Sequence, residues 1–138
     1  MSSMFISGYF RSVTVRYKLG KSRHSMFKTL PPNVRFLVIP DQENSHYEKG
    51  DILVFHDITP SGSHIVKRVV GLPGEDILID GQEHYLGPSE YFVLGEQETS
   101  KPNREPYDSR YFGPVPKSHI IGKAWFIYWP LGRIGRIS

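Results

Sequence analysis

The chain reads as all-β, or mainly β: one barrel-like or sandwich domain whose short strands are joined by long loops. Two observations predict this. Seven or eight segments show strand patterning, either period-two alternation or a short apolar run between turn signals, and no segment makes a convincing helix. Thirteen glycines and eleven prolines break the chain repeatedly, which suits turn-rich sheet better than helix.

The elements follow in order. SVTVRYKL alternates apolar and polar residues over 13–19 and predicts a strand. VRFLVIP (34–40) is a second, closed by Pro40. A polar stretch over 41–50 ends in Lys49-Gly50 and leads into DILVFH (51–56), a short apolar strand. ITPSGS (58–63) is a turn, and HIVKRVVGLPG (64–74) is a strand that runs into a glycine- and proline-rich break. ILIDGQEHYL (77–86) predicts a hairpin, because Asp80-Gly81 suits a two-residue turn. YFVLG (91–95) is another strand. Residues 96–110 form a long polar loop, of the kind that often carries function inside a small domain. HIIGKAWFIYWP (119–130) supplies one or two last strands, and GRIGRIS is a short tail.

Bulk composition narrows the function classes. At 138 residues, 38% hydrophobic and 22% charged, the chain suits one globular domain with a real core and not a disordered segment. Cysteine is absent, which excludes disulfides, thiolate nucleophiles and thiolate-held zinc. The net charge of +3 is mildly basic and is not gathered in one tail. Lys18, Lys21, Arg23 and Lys28 make the densest basic cluster. It reads as a solvated face, with contact to acidic lipid or nucleic acid as the functional alternative. No apolar stretch approaches the ~20 residues that span a bilayer. No continuous apolar run near the N-terminus has the length of a secretory signal. The expectation is a soluble chain, with the cytoplasm favoured, or a peripheral membrane protein.

Two residues stand out as candidates for chemistry. Ser25 lies in HSMFKTL, and a lone serine beside a histidine is ordinarily solvated or capping. A working serine needs a base within reach and donors for an oxyanion. In HIVKRVV, alternation puts Ile65, Lys67 and Val69 on one face and His64, Val66, Arg68 and Val70 on the other. If the first face is buried, desolvation favours the neutral amine of Lys67, which can then take a proton from a hydroxyl. The plainer alternative is an edge-strand lysine that guards against aggregation. Arg68 invites a loop carboxylate as its partner.

Other groups are weaker candidates. His24 adjoins Ser25, and neighbours on a strand point to opposite faces, so it is poorly placed as the base. The six histidines show no metal-ligand spacing. Glu96, Glu98, Glu105 and Asp108 form an acidic loop whose plain reading is solvation. GLPGED is a tight turn and does not open a helix as a phosphate loop would.

Four ordered segments together resemble the type I signal peptidases and their soluble relatives, which are Ser/Lys-dependent endopeptidases. Ser25-Met26-Phe27-Lys28-Thr29-Leu30 matches a nucleophile box of the form SMxPTL at five of six positions, counting the free one. Gly50-Asp51-Ile52-Leu53-Val54-Phe55 is similar to GDIVVF. Residues 67–74, KRVVGLPG, match the lysine box, with Glu75 standing for its acid. Gly95 and then DSRYFGPVP (108–116) match the last box, and GKAWFIYWPLGRIGRI resembles the family's last strand. The resemblance covers 20–137, behind a lead-in of residues 1–19, and implies a single peptidase domain over 1–138.

The resemblance implies roles. Ser25 would be the nucleophile and Lys67 the general base, working through an acyl-enzyme. Asp108, Ser109 and Arg110, with Arg68, would order the site around the lysine. The Ser25 N–H would serve the oxyanion. Met26 and Phe27 would contact an extended substrate strand, with small apolar pockets selecting small residues before the cut. The partner would be a precursor protein with an N-terminal signal or pro-segment. No cofactor, metal or nucleic acid is called for.

The chain departs from the family pattern at several positions. Lys28 replaces the box proline, Arg23 stands where a small residue is usual, Glu96-Gln97 replaces Asp-Asn, and Pro106 precedes Asp108 by two. The stretch from Gly95 to Asp108 is longer than usual. Without an apolar span before the box, the chain resembles a soluble member, such as the proteases that mature nickel-type superoxide dismutase, or a peripheral enzyme acting at a membrane through its basic N-terminal face. Two other readings stay open. One is a degenerate module that binds extended peptides without cutting them. The other is a self-cleaving DNA-linked regulator, for which neither a helix-turn-helix nor an Ala-Gly site is present.

Overall fold

The computed structural model describes residues 15–18 (backbone only), 26, 29–30, 34–57, 64–96 and 107–137. Its centre is the apolar run ILVF. Residues 52–55 are buried without alternation, because β3 (Ile52–His56) lies inside the sheet with core on both faces. An alternating strand needs one wet face, and β3 has none.

The main sheet runs β1-β2-β9-β3-β4-β7-β8, with β10 paired to β9. Its strands are β1 (Val15–Lys18), β2 (Arg35–Pro40), β3, β4 (His64–Gly71), β7 (Glu90–Leu94), β8 (Val115–Pro116), β9 (Ile120–Trp129) and β10 (Gly135–Arg136). Every pairing is antiparallel. β5 (Asp76–Ile79) and β6 (Gln82–Tyr85) form a separate hairpin. The mainly β expectation is met.

Two apolar clusters cover the two faces. One joins Phe36 and Val38 of β2, Ile52 and Val54 of β3, Val66 of β4, and Ala124 and Ile127 of β9, together with Met26, Leu30 and Val34. The other joins Leu53 and Phe55 of β3, Ile65 and Val69 of β4, Tyr91 and Val93 of β7, Val115 and Ile120. β3 and β4 feed both clusters, so the middle of the sheet is dry on both sides.

The hairpin forms at the Asp80-Gly81 turn expected for it. Both residues have positive φ, 51° and 79°, as the tight hairpin turn requires. Its inner face closes over β4 and β7. His84 lies against Phe92 with ring centroids 4.5 Å apart, and a Cβ at Gly71 would stand 2.9 Å from Ile77 Cδ1 and Leu86 Cδ1.

One expectation is narrowed and two change. Of the one or two strands expected over 119–130, one forms, the ten-residue β9 (Ile120–Trp129), with register shifts against both β2 and β3. The end of the polar loop holds a one-turn helix, α1 (Ser109–Phe112), capped by the Asp108 side chain, which accepts from the Arg110 N–H. The tail contributes β10 after a 3₁₀ turn over Leu131–Arg133.

β2 and β9 approach closely at Gly122. A Cβ there would lie 2.2 Å from the Ile39 carbonyl oxygen and 2.7 Å from Val38 Cγ1. Gly122→Ala should therefore destabilise the fold by roughly 2–4 kcal/mol through forced separation of the strands. Gly132, with open space around its Cβ position, is the control, and Gly132→Ala should fall within about 0.5 kcal/mol of the parent. Urea unfolding of the two variants checks the contrast.

Candidate active site

Lys67 lies in the middle of β4 and is 5% exposed. β4 has β3 on one side and β7 on the other, so the edge-guard reading of this lysine is overturned. Its neighbour across the β3 ladder is Leu53. Alternation groups it with Ile65 and Val69, which belong to the second cluster. The apolar face that the sequence assigns to Lys67 is a buried face.

Arg68 follows on the other face and makes a three-way connection. Its Nη1 donates to the Gly50 carbonyl at 2.7 Å. Its Nη2 donates to Thr29 Oγ1 at 2.8 Å and to Glu96 Oε2 at 2.7 Å. The loop carboxylate invited by Arg68 is thus Glu96. Glu96 also accepts from the Thr29 N–H on Oε1 at 2.9 Å and from the Thr29 hydroxyl on Oε2. The solvated reading of the acidic loop fails for this residue, because its side chain is 15% exposed. Burial on its own would raise the Glu96 carboxyl, but the Thr29 and Arg68 bonds outweigh it and hold the group below the ordinary glutamate range.

Thr29 belongs to the nucleophile box, and that segment turns tightly. The N–H groups of Thr29 and Leu30 both donate to the Met26 carbonyl, at 3.1 and 2.6 Å. Met26 and Leu30 are buried in the first cluster, so the side chain expected to touch substrate anchors the turn in the core. Ser25, Phe27, Lys28 and Arg23 lie outside the described residues, as do His24, Glu98, Glu105 and Pro106.

The last box is fastened to the end of β7. Asp108 is 1% exposed, which also overturns its solvated reading. It accepts from the Gly95 N–H at 3.2 Å, from Arg110 Nε at 3.1 Å and from Arg110 Nη2 at 2.8 Å. Burial would again raise this carboxyl, and the Arg110 bonds reverse the shift and depress it. The Arg110 guanidinium is raised in turn, first by its bond to Asp108, and it also reaches Asp80 of the hairpin at 3.3 Å. Ser109 is buried, and its Oγ accepts from the Val93 N–H at 2.9 Å. β7 pairs with β4 through Val69–Val93 and Arg68–Leu94. Asp108 and Ser109 therefore grip the strand beside Lys67. Tyr107, whose hydroxyl donates to Asp57, packs edge-on against Phe112 with centroids 5.1 Å apart and closes this end.

Sequence reasoning missed the joint action of Thr29, Glu96 and the Gly50 carbonyl. A signal was present: a carboxylate is kept at 96, where the family has an aspartate.

Both depressed carboxyls stabilise the fold in one pH direction. A folded pKa below the unfolded one, about 4 for a carboxyl, gives stability that is fully present above that pH. It is lost as pH falls through the folded pKa. Asp108→Asn should cost about 2 kcal/mol at pH 7, and the gap to the parent should shrink steadily below about pH 4. Urea unfolding at a series of pH values checks this, and a gap independent of pH would remove the charged pair as its cause.

Comparison with known proteins points to one family. The profile described as signal peptidase, peptidase S26, matches residues 3–87 and 79–129. Signal peptidase I of Leptolyngbya laminosa is 34% identical over 83% of this chain and 69% of its own length. A probable signal peptidase I-2 of Synechocystis is 25% identical over 100% of this chain and 76% of its own. Subunit 1 of the human mitochondrial inner membrane protease is 30% identical over 72% of this chain and 62% of its own. Matched over most of its length, and with the four box segments in the family's order, the chain belongs to the signal peptidase family of S26 peptidases.

Proposed function

We propose that the chain is a serine endopeptidase, one domain over 1–138, that removes an N-terminal signal or pro-segment from a precursor protein. The observation that carries this reading is the buried Lys67 at the centre of the sheet, one residue from the arginine that ties the nucleophile box in place. Family membership and the box order support it.

In this reading the neutral Lys67 amine takes the Ser25 hydroxyl proton as Oγ attacks the scissile carbonyl. Burial favours that neutral amine by withholding water from the ammonium form. The oxyanion accepts from the Ser25 N–H. Lysine then returns the proton to the leaving amine, and the acyl-enzyme forms. A water deprotonated by Lys67 cleaves the ester and regenerates Ser25. Asp108, Ser109 and Arg110 hold β7 against β4 and so keep the lysine strand in place. Met26 anchors the box from within the core, and Phe27 is the box residue that meets the substrate.

The setting proposed is a membrane surface met from the side. No described helix is long and apolar enough to cross a membrane. At the tip formed by the end of β9 and the turn after it, Trp129, Leu131 and Ile134 are 46%, 75% and 50% exposed. Arg35 lies over the Trp129 ring at 5.7 Å, and Arg133 and Arg136 are exposed beside it. An exposed aromatic and aliphatic tip ringed by cations suits an anionic lipid surface.

Two measurements test these readings. Ser25→Ala and Lys67→Met should each lower cleavage of a precursor peptide by roughly a thousandfold or more, and Ser25→Ala should stop labelling by a serine-reactive acyl probe. Undiminished cleavage in either variant sinks the dyad. Peptide binding by a parent protein that never acylates would favour the non-cutting module. A Trp129→Ser/Leu131→Ser variant should sediment less with phosphatidylserine vesicles while cutting a soluble peptide at the parent rate. Equal sedimentation would rule out the tip as the lipid contact.

A further inference from the structure

The segment that carries Ser25 and the strand that carries Lys67 are joined through one carboxylate. Glu96 stands just past the end of β7. Its Oε1 accepts from the Thr29 N–H at 2.9 Å. Its Oε2 accepts from both the Thr29 hydroxyl and Arg68 Nη2, the latter at 2.7 Å. Arg68 closes the ring by donating to Thr29 Oγ1 at 2.8 Å. Thr29 is four residues after Ser25, and Arg68 is the residue after Lys67.

We propose that Glu96 is a positioning residue for the Ser/Lys reaction, clasping the nucleophile box to the lysine strand so that Ser25 and Lys67 are presented in one fixed geometry. This rests on the peptidase reading above.

The chemistry of the clasp explains why a carboxylate is needed. Three donors converge on the side chain: the Thr29 N–H, the Thr29 O–H and the Arg68 guanidinium. An ionised carboxylate has two acceptor oxygens with about four lone-pair sites and meets all three. Glutamine has one acceptor oxygen, and its amide nitrogen faces Arg68 or Thr29 with donors of its own. Aspartate keeps the charge and both acceptor oxygens but is one methylene shorter, so it stretches these bonds in this backbone. The pair is also sheltered, with Arg68 at 23% and Glu96 at 15% side-chain exposure, so water does not readily replace the missing bonds. Loss of the clasp frees the box turn at Thr29 while leaving Met26 and Leu30 seated in the core.

The test separates positioning from folding and from the peptidase reading itself. Glu96→Gln and Glu96→Asp are compared with the parent for precursor-peptide cleavage, with thermal unfolding as the check on folding. A 1 Å misplacement of reacting groups costs on the order of a hundredfold. Glu96→Gln should accordingly lower kcat about 10- to 100-fold with KM within about threefold. Glu96→Asp should fall between it and the parent. Thr29→Val should lower kcat as well, and adding it to Glu96→Gln should cost little more, because both remove the same clasp. Amide hydrogen exchange at Thr29 and Leu30 should quicken in Glu96→Gln with the core strands unchanged. An unchanged kcat in a folded Glu96→Gln protein beside an active parent overturns the positioning role alone. So does a loss confined to KM, or additive losses with Thr29→Val. A parent that neither cleaves nor acylates overturns the peptidase reading and the positioning role with it. Exchange then still decides whether Glu96 holds the box.

Discussion

The structure depends on keeping the middle of one sheet dry on both faces. β3 and β4 are the strands that pay for this, since each supplies apolar side chains to two clusters at once. A lysine placed there loses most of its hydration, and an ammonium ion in such a site is costly unless the site compensates it or it sheds its proton. Lys67 at 5% exposure is therefore a consequence of the topology.

The two arginines near Lys67 in sequence or across β7 are each paired with carboxylates. Arg68 is turned to the opposite face and neutralised by Glu96. Arg110 is neutralised by Asp108 and, at its outer end, by Asp80. Each arginine thus brings its own carboxylate. Each pair also joins segments distant in sequence: box to β4 and β7 in the first case, α1 to β7 and the hairpin in the second. Buried or half-buried pairs of this kind add little net stability over apolar residues. A shifted strand would leave a sheltered charge without its partner, so such pairs disfavour a slipped register.

Much of the fold was legible because its signals are local. Alternation in HIVKRVV correctly grouped Lys67 with Ile65 and Val69, and Asp80-Gly81 correctly placed the hairpin turn. What was not legible is made by tertiary contact. β8 and β10 are two residues each and exist because β7 and β9 offer an open edge, so no periodicity could reveal them. α1 is a single turn fixed by the Asp108 cap and by the bond from the Val93 N–H to Ser109. Glu96 sits at the head of a stretch whose composition is polar throughout, and composition does not say that Glu96 and Asp108 turn inward. The bonds around Thr29 needed the coordinates, because they join residues far apart in the chain.

Lys28 departs from the nucleophile box where the family pattern has a proline, and in the proposed reading the clasp makes up for it. A proline in that place would restrain the turn through its ring, by fixing one φ angle and by limiting the residue before it. Here the turn is restrained from the next residue along. Thr29 is held by its N–H and its hydroxyl to Glu96, and by Arg68. Met26 and Leu30 are sunk in the core on either side. Rigidity that the family places in a ring is supplied by hydrogen bonds to a neighbouring strand. Such bonds, unlike a ring, can be loosened by protonating a single carboxylate.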